Sequence, residues 1–178
     1  MRMNVVEEFT IRTAAPADAE RLSELAVRTF RDTYAEHNRP ENMAQYLAAH
    51  FSPQHQAEEL ADPQVATVVA EVGHQLIGYA QLRLGNPPDC VPGTDRLELS
   101  RFYVDRPWHG RGVAQALMTA TVSEAAERGA PTLWLGVWER NARGIAFYRK
   151  CGFAEVGTQT FVLGSDRQND RVMALTLS

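Results

Sequence analysis

Small residues stand where a strand-like pattern turns into a helix, in the segment 103–114 (YVDRPWHGRGVA). Gly110, Gly112 and Ala114 would let a ligand approach the backbone closely. Free N–H groups at a helix N-terminus attract anions because the positive end of the helix dipole lies behind them. Arg111 adds a cation beside them. The segment predicts a site for a pyrophosphate-bearing ligand, with a simple tight connection that needs positive φ angles as the alternative.

Two better-known phosphate-binding loops do not fit this segment. A P-loop ends in Gly-Lys-Ser or Gly-Lys-Thr, and a dinucleotide fold closes its next strand with an acidic residue. Neither feature accompanies Gly112 in the sequence. The ligand is therefore expected to be neither ATP nor NAD.

Two segments carry a family resemblance. Residues 109–114 (HGRGVA) resemble the coenzyme A loop of the GCN5-related N-acetyltransferases, the GNAT family, with His109 where that family usually has Gln or Arg. Residues 138–141 (WERN) and 145–153 (IAFYRKCGF) resemble the same family's Asn…Phe-Tyr-x-Lys-x-Gly-Phe segment. Both segments occur in the family's order, which is more specific than either alone. The resemblance implies an N-acetyltransferase with acetyl-CoA as its cofactor.

The same resemblance implies the architecture. It corresponds to a single α/β (α+β) domain over residues 1–178. A mixed, mostly antiparallel sheet of about seven strands would be flanked by about four to five helices in layers. Two neighbouring strands would splay apart to hold the cofactor.

Cofactor contacts follow from the resemblance residue by residue. The backbone of Phe102, Tyr103 and Val104 would bind the acetyl carbonyl, and Asn141 would hold the pantetheine arm. The loop would supply His109, Gly110, Arg111, Gly112, Val113 and Ala114. Lys150 would approach the phosphates. As alternatives, Asn141 would cap the helix that follows it, and Lys150 would be a solvated charge at a helix end.

The reaction needs a group that removes a proton from the amine. A lysine-type amine has a pKa near ~10.4, so about one molecule in two thousand is neutral at pH 7. Glu98 is the candidate base because it matches the catalytic glutamate of the histone-acetylating branch of the family. It also shares its strand alternation with Phe102 and Val104. Water alone, with Glu98 as an exposed edge carboxylate, is the alternative.

The departing thiolate needs a proton donor. A phenol with a pKa near ~10 stays protonated at pH 7 and can donate. Tyr148 matches the family's acid, with core packing of its helix as the alternative.

The outer segments indicate an acceptor. Residues 29–34, 38–42 and 161–170 resemble the PaiA-type spermidine and spermine N-acetyltransferases. Carboxylates of the early helices would pair with a polyamine's ammonium groups. The expected acceptor site therefore comprises Asp32, Tyr34, Glu36, Glu41 and Trp138. Solvated helix faces, and a core position for the tryptophan, are the alternatives.

Composition limits the other functions. A net charge of −4, from 18 Lys+Arg and 22 Asp+Glu, offers no basic cluster for nucleic acid. Cys90 and Cys151 form no metal or disulfide pattern. The N-terminus lacks the apolar stretch of a signal peptide, and no apolar run is long enough to cross a membrane. We expect a cytoplasmic enzyme that holds no metal ion and acts on a small amine. The resemblance is also compatible with a homodimer.

The elements that must position these residues follow from hydrophobic periodicity and turn residues. Helices are predicted to open near Pro16, Pro40 and Ser52, and further helices over 110–128 and 142–150. Strands are predicted over 8–12, 66–70, 76–84, 96–104, 133–138, 153–163 and 172–177. The Pro- and Gly-rich segment 85–95 is predicted to be a mobile loop.

Two further functions stay open at this point. One is an acetyltransferase for another amine, either an aminoglycoside or a protein N-terminus, since fold and cofactor loop do not determine the acceptor. The other is a regulatory or sensor protein that binds coenzyme A and acts through a partner. Tyr148 and Glu98 favour turnover over sensing.

Overall fold

The computed structural model describes residues 8–178. The start of the chain, on which the signal-peptide prediction depends, lies outside this range. The strands are β1 (Thr10–Thr13), β2 (Val65–Val72), β3 (Gln75–Leu84), β4 (Arg96–Val104), β5 (Thr132–Trp138), β6 (Ala154–Leu163) and β7 (Asp166–Thr176). The α-helices are α1 (Ala19–Tyr34), α2 (Pro40–His50), α3 (Pro53–Ala61), α4 (Val113–Glu127) and α5 (Ala142–Lys150).

The strands form one open sheet in the order β1-β2-β3-β4-β5-β7-β6. Only β4 and β5 pair in parallel, with α4 as the crossover between them; every other neighbouring pair is antiparallel. The predicted mixed, mostly antiparallel sheet of seven strands is confirmed, and five α-helices accompany it in residues 8–178.

Helices cover both faces of the sheet. On one face, Leu117 and Met118 of α4 pack against Leu82, Leu99 and Leu133 of the strands. The other face carries a second buried cluster that joins α1, α2 and the sheet, with members Leu25, Phe30, Leu47, Val69 and Tyr79 among them. Each face therefore holds its own apolar core.

The parallel pair β4 and β5 separates along its length. Their pairing runs from Arg96–Thr132 to Glu98–Trp134 and stops there, although both strands continue. The carboxyl halves of β4 and β5 therefore diverge. This confirms the expected splayed pair and opens a gap in the sheet.

A β-bulge at Ser100 changes the direction of side chains in the second half of β4. Gln81 pairs with Arg101 while the next residue, Leu82, pairs with Leu99, so Ser100 is the extra residue. Its hydroxyl donates to the Gln81 carbonyl at 3.2 Å. Residues on either side of the bulge consequently no longer alternate in phase.

Two element boundaries differ from the sequence prediction. Helix α4 begins at Val113 rather than Gly110, because Gly110 and Gly112 have φ angles of 75° and 84° that no α-helix accommodates. Strand β7 begins at Asp166, six residues earlier than predicted, and pairs with β6 across the tight turn at Gly164. Its first half is polar, so hydrophobic periodicity did not reveal it.

The loop 85–95, predicted to be mobile, has an anchor. Val91 is 1% exposed and packs against Trp134, Val172 and Ala174. Arg96 donates to the Val91 carbonyl at 2.7 Å. The middle of this loop is therefore held against β5 and β7.

Candidate active site

A cavity of about 610 Å³ lies at the gap between the diverging halves of β4 and β5. We call it the gap cavity. The predicted site residues that line it are Asp32, Phe102, Tyr103, Val104, His109, Gly110, Gly112, Ala114, Trp138, Asn141, Tyr148 and Lys150. Sequence reasoning missed the lining residues Thr33, His37, Arg106, Trp108, Gln115, Arg140, Arg143, Gly144 and Phe147. The three arginines could have been found from the sequence, because they are cations close to the glycine loop and to α5.

The loop before α4 leaves backbone exposed at the gap cavity. A side chain added at Gly110 or Gly112 would meet no other atom within 4 Å, so the space beside both glycines is open. The N–H groups that begin α4 have no partner one turn earlier in the helix. These features suit the phosphates of a coenzyme A molecule.

Two predicted loop contacts lie elsewhere. Val113 is completely buried beside Ala70, Ile77 and Trp108, so its side chain anchors α4 to the sheet. The Arg111 guanidinium lies over the Trp108 ring, 5.2 Å from the ring centre, and Arg111 does not line the gap cavity. For both residues the structure leaves only the backbone at the loop to face a ligand.

His109 joins the two sides of the loop. Its Nε2 lies 2.7 Å from the Val104 carbonyl oxygen, and its Nδ1 lies 2.7 Å from an Arg143 amino nitrogen. A guanidinium only donates and a carbonyl only accepts, so Nδ1 accepts and Nε2 donates. His109, which departs from the family's usual residue, thereby ties β4 to α5.

Helix α5 forms one wall of the cavity. The Asn141 side-chain oxygen accepts from the Gly144 N–H at 2.9 Å, which confirms the predicted N-cap, and Asn141 also lines the cavity. Phe147 stacks on Phe102 at 5.5 Å between ring centres, and Tyr148 contacts both rings at their edges. The phenol of Tyr148 is therefore held between β4 and α5 by aromatic packing.

Burial controls the protonation of Tyr148. Removal from water, followed by the nearby phenol of Tyr103, raises the pKa of Tyr148 well above its usual range. The phenol therefore keeps its proton throughout the physiological pH range. It is available as a hydrogen-bond donor at the gap cavity.

Glu98 does not reach the gap cavity. It lies on the paired half of β4, and its carboxylate accepts from Arg83 at 2.9 Å. The expected alternation with Phe102 and Val104 is wrong because the bulge at Ser100 lies between them. Leu97 and Leu99 instead share the core cluster of Phe102 and Val104, and Glu98 faces the opposite side of the sheet.

The end of α1 and the strand end of β5 form the opposite wall. Asp32 and His37 line the cavity there, and His37 lies 5.5 Å from the Trp138 ring centre. Tyr34 does not line the cavity; its ring packs 5.4 Å from Trp138. Its phenol shares a hydrogen bond with Tyr103, which does line the cavity.

The remaining predicted acceptor residues are on the surface. Glu36 lies in the short turn after α1 and Glu41 in the first turn of α2. Both are exposed and neither lines the gap cavity. The structure brings Asp32 and Trp138 to the cavity but not these two carboxylates.

An anchored carboxylate supports the loop from behind. Asp105, 4% exposed, accepts two hydrogen bonds from Arg28 of α1 at 3.1 and 3.0 Å. Its own N–H donates to the Ile77 carbonyl at 2.8 Å. The start of the loop is thereby tied to both α1 and β3.

The described part of the chain offers two negative findings. In residues 8–178, no three His, Cys, Asp or Glu side chains come together in a way that could hold a metal ion. None of the helices in that range combines the length and apolarity that crossing a bilayer requires.

The splayed sheet, the open glycine loop and the phenol at the gap define an acyl-transferring enzyme that holds coenzyme A at the start of a helix. Residues 19–153 match the model of the acetyltransferase (GNAT) family. The chain belongs to this family and is an acetyl-CoA-dependent N-acetyltransferase.

Several relatives support this assignment. An uncharacterised N-acetyltransferase of Mycobacterium tuberculosis (strain ATCC 25618 / H37Rv) is 39% identical over 160 residues, which cover 90% of this chain and 98% of that protein. The ribosomal protein bS18-alanine N-acetyltransferase of Escherichia coli (strain K12) is 33% identical over 86 residues, 47% of this chain and 58% of that protein.

A solved structure shares the fold over nearly the full length. The PaiA N-acetyltransferase of Thermoplasma acidophilum, in complex with coenzyme A, superimposes with a TM-score of 0.77 at 21% identity. The match covers 95% of this chain and 99% of that one. At this identity the similarity is one of fold.

Proposed function

We propose that this enzyme acetylates a primary amine of a small polycationic acceptor of the polyamine class, such as spermidine or spermine. The observation that carries the proposal is the division of charge along the gap cavity. Arg106, Arg140, Arg143 and Lys150 line it from the loop and from the α5 region, whereas Asp32 lines it from α1. An anionic cofactor and a cationic acceptor would thus meet from opposite walls.

The cofactor residues follow from this division. Acetyl-CoA, when bound, supplies the acetyl group as a thioester. The open backbone at Gly110 and Gly112 would hold its phosphates, with Arg143 and Lys150 as cationic partners. The backbone of Phe102 and the N–H of Val104, which lie beyond the last β4–β5 pair, would hold the acyl end, whereas the Val104 carbonyl is bound by His109.

Tyr148 would act as the proton donor. Its phenol lines the gap cavity, and its raised pKa keeps the proton on the oxygen until a strong base forms nearby. The departing thiolate can take this proton when its sulfur lies within hydrogen-bonding distance of the phenol. The Phe102 and Phe147 rings hold the phenol in place for this transfer.

On the acceptor side, Asp32 and Trp138 would bind the amine. Asp32 is exposed at the cavity and can pair with an ammonium group, and the Trp138 ring offers a face to a cation. Tyr34 would contribute by holding Trp138 and Tyr103 rather than by contact with the acceptor.

A peptide N-terminus is the second candidate acceptor. The relative from Escherichia coli that shares 33% identity over 86 residues is named as an alanine N-acetyltransferase of a ribosomal protein. A peptide carries one ammonium group at its end, so it would need one carboxylate at the gap and few along the approach.

Thiol release from acetyl-CoA tests the proposal. The panel is spermidine, spermine, shorter diamines, an aminoglycoside and a short peptide with an N-terminal alanine. Turnover of the polyamines at rates well above the others is the expected result. Turnover of the alanyl peptide alone would mean that the acceptor is a peptide N-terminus. Binding of coenzyme A without turnover of any amine would favour a sensor.

A further inference from the structure

A buried carboxylate lies next to Trp138, behind the acceptor wall; Trp138 lines the gap cavity and Asp170 itself does not. Asp170 is 7% exposed and lies directly across from Trp138 in the pairing of β5 with β7. Directly opposed residues of an antiparallel pair point to the same face of the sheet. Asp170 therefore shares the face on which Trp138 meets Tyr34 and His37.

No cation of residues 8–178 balances this charge. Asp170 takes part in none of the ion pairs formed there, and its side chain accepts a hydrogen bond from Gln159. The other buried carboxylates, Asp18 and Asp105, each bind an arginine. A buried carboxylate without a cation is costly unless a ligand supplies the positive charge.

The strand next to Asp170 exposes backbone beside the carboxylate. Gly136 of β5 is exposed, and a methyl group added there would come within 2.9 Å of the Asp170 Oδ2 and would also collide with the Gln159 amide. The glycine thus exposes backbone beside the carboxylate, two residues before Trp138. Any larger residue would displace the Asp170 and Gln159 side chains.

The ionisable groups around Asp170 are phenols, one carboxylate and one imidazole. Burial, with a smaller contribution from the Asp170 charge, raises the pKa values of Tyr34 of α1, Tyr46 of α2 and Tyr103 of β4. Glu139, exposed at the end of β5, is the nearby charge of the same sign. The imidazole of His37, which packs on the Trp138 ring, is a further titratable group on the same face of the sheet.

We propose that Asp170 supplies the negative charge that draws the acceptor's ammonium group to the Trp138 end of the gap cavity and then takes up its proton, directly or through one water molecule. This inference depends on the proposed function only in that the acceptor is a primary amine. One N–H bond of the ammonium group breaks, and an O–H bond forms on Asp170. The neutral amine keeps the electron pair with which it attacks, and Asp170 returns the proton to solvent.

Burial gives Asp170 an acidity suited to this step. Removal from water is the main cause that raises the pKa of Asp170 to about 6, and the Gln159 hydrogen bond opposes it. The carboxylate is ionised at pH 7 and yet is a stronger base than an exposed aspartate. Below pH 6 it carries its own proton and can neither attract nor deprotonate the amine.

The test compares wild type with Asp170→Asn over pH 5 to 9, using spermidine and the alanyl peptide as the two acceptors. For the acceptor that wild type uses, kcat/KM should fall about 100-fold in the variant. The loss of rate below pH 6 should disappear with the carboxylate. Gly136→Ala should raise the KM for the acceptor and leave the KM for acetyl-CoA unchanged. Glu139→Gln is the matched control, which removes a neighbouring exposed carboxylate and should keep wild-type kcat/KM at pH 8.

The outcomes separate this inference from the proposed acceptor. Turnover of the peptide alone would overturn the proposal of a polyamine acceptor. The role of Asp170 would then be tested by the kinetics with the peptide. An Asp170→Asn variant within threefold of wild type, with its acid limb intact, would overturn the role of Asp170 whatever the acceptor. An unstable variant with equally lowered activity at every pH would show a structural role and overturn it as well. Turnover of neither acceptor by wild type would overturn both proposals.

Discussion

The Nε2 atom of His109 lies 2.7 Å from the carbonyl oxygen of Val104, the last residue of β4. Because Arg143 donates to the other ring nitrogen, the imidazole spans the mouth of the gap cavity from the sheet to α5. The distance between these two walls determines how a ligand fits against the start of α4. We therefore expect His109 to be a positioning residue for the cofactor side.

Replacing His109 should weaken acetyl-CoA binding. His109→Ala removes two hydrogen bonds that together hold the mouth of the cavity, each contributing about 0.5–1.5 kcal/mol. We expect the KM for acetyl-CoA to rise about threefold to tenfold, with the acceptor KM unchanged. Steady-state kinetics with each substrate varied in turn measures the effect.

Two variants control for this effect. His109→Gln, which restores the residue type usual in the family, should recover most of the affinity, and His74→Ala in the distant β2–β3 turn should behave as wild type. An increase in the acceptor KM alone would contradict the assignment of His109 to the cofactor side.

Tyr148→Phe should lower kcat and spare binding. The raised pKa keeps the phenol protonated for the proposed transfer, and its ring contacts remain in phenylalanine. We expect a decrease in kcat of about 100-fold or more, as for removal of a general acid. Calorimetric titration with coenzyme A should give an unchanged Kd.

A matched variant distinguishes chemistry from packing at this helix. Phe147→Leu removes the stacking on Phe102 but no ionisable group. It should lower thermal stability more than Tyr148→Phe and lower kcat less. The reverse order would mean that Tyr148 serves chiefly as a core residue.

Local sequence patterns predicted most helices and strands, because the spacing of apolar residues along an element determines which of its faces is buried. Ser52 before Pro53 predicted the start of α3, and its hydroxyl accepts from the His55 N–H at 3.1 Å. The glycine loop and the Asn141 N-cap were likewise predicted from residues adjacent in the sequence. Such signals are local, so a single sequence contains them.

Relationships across the sheet could not be predicted in the same way. The bulge at Ser100 exists only in the pairing of β4 with β3. Because of it, Glu98 lies on the opposite face of the sheet from Phe102 and Val104 and cannot act as a base at the gap. Asp170 lies in the polar half of β7, which lacks hydrophobic alternation, so nothing in the sequence placed it opposite Trp138. Both residues depend on strand register, which only the fold defines.

Asp18 should make the fold sensitive to acid. It is 2% exposed, binds both Arg12 and Arg21, and accepts from the Ala15 N–H at 2.7 Å. The Arg12 hydrogen bonds, with help from that N–H, lower the pKa of Asp18 well below its usual range. A lowered folded-state pKa means that this stabilisation is present above the unfolded pKa of about 4 and is lost as pH falls further.

Asp18→Asn measures this contribution. It should lower the free energy of unfolding by about 2–3 kcal/mol at pH 7, since Arg12 and Arg21 lose their buried carboxylate partner and keep only Glu71. The difference from wild type should shrink as pH falls below about 4. Urea unfolding at several pH values gives both numbers. Asp62→Asn, at an exposed carboxylate, should change stability by less than about 0.5 kcal/mol; a deficit for Asp18→Asn that does not depend on pH would indicate lost packing instead.

Asp170→Asn should have the opposite effect on stability. The folded-state pKa of Asp170 is raised to about 6, so the native protein binds this proton more tightly than the unfolded chain does. Stability contributed by the protonated group is complete below about pH 4 and is lost as pH rises through about 6. A neutral asparagine avoids that loss, so the variant should be more stable than wild type by about 2 kcal/mol at pH 8 and similar at pH 4. Thermal unfolding at the two pH values measures this, and a variant that is less stable at pH 8 would show that Asp170 supports the fold rather than waiting for a cation.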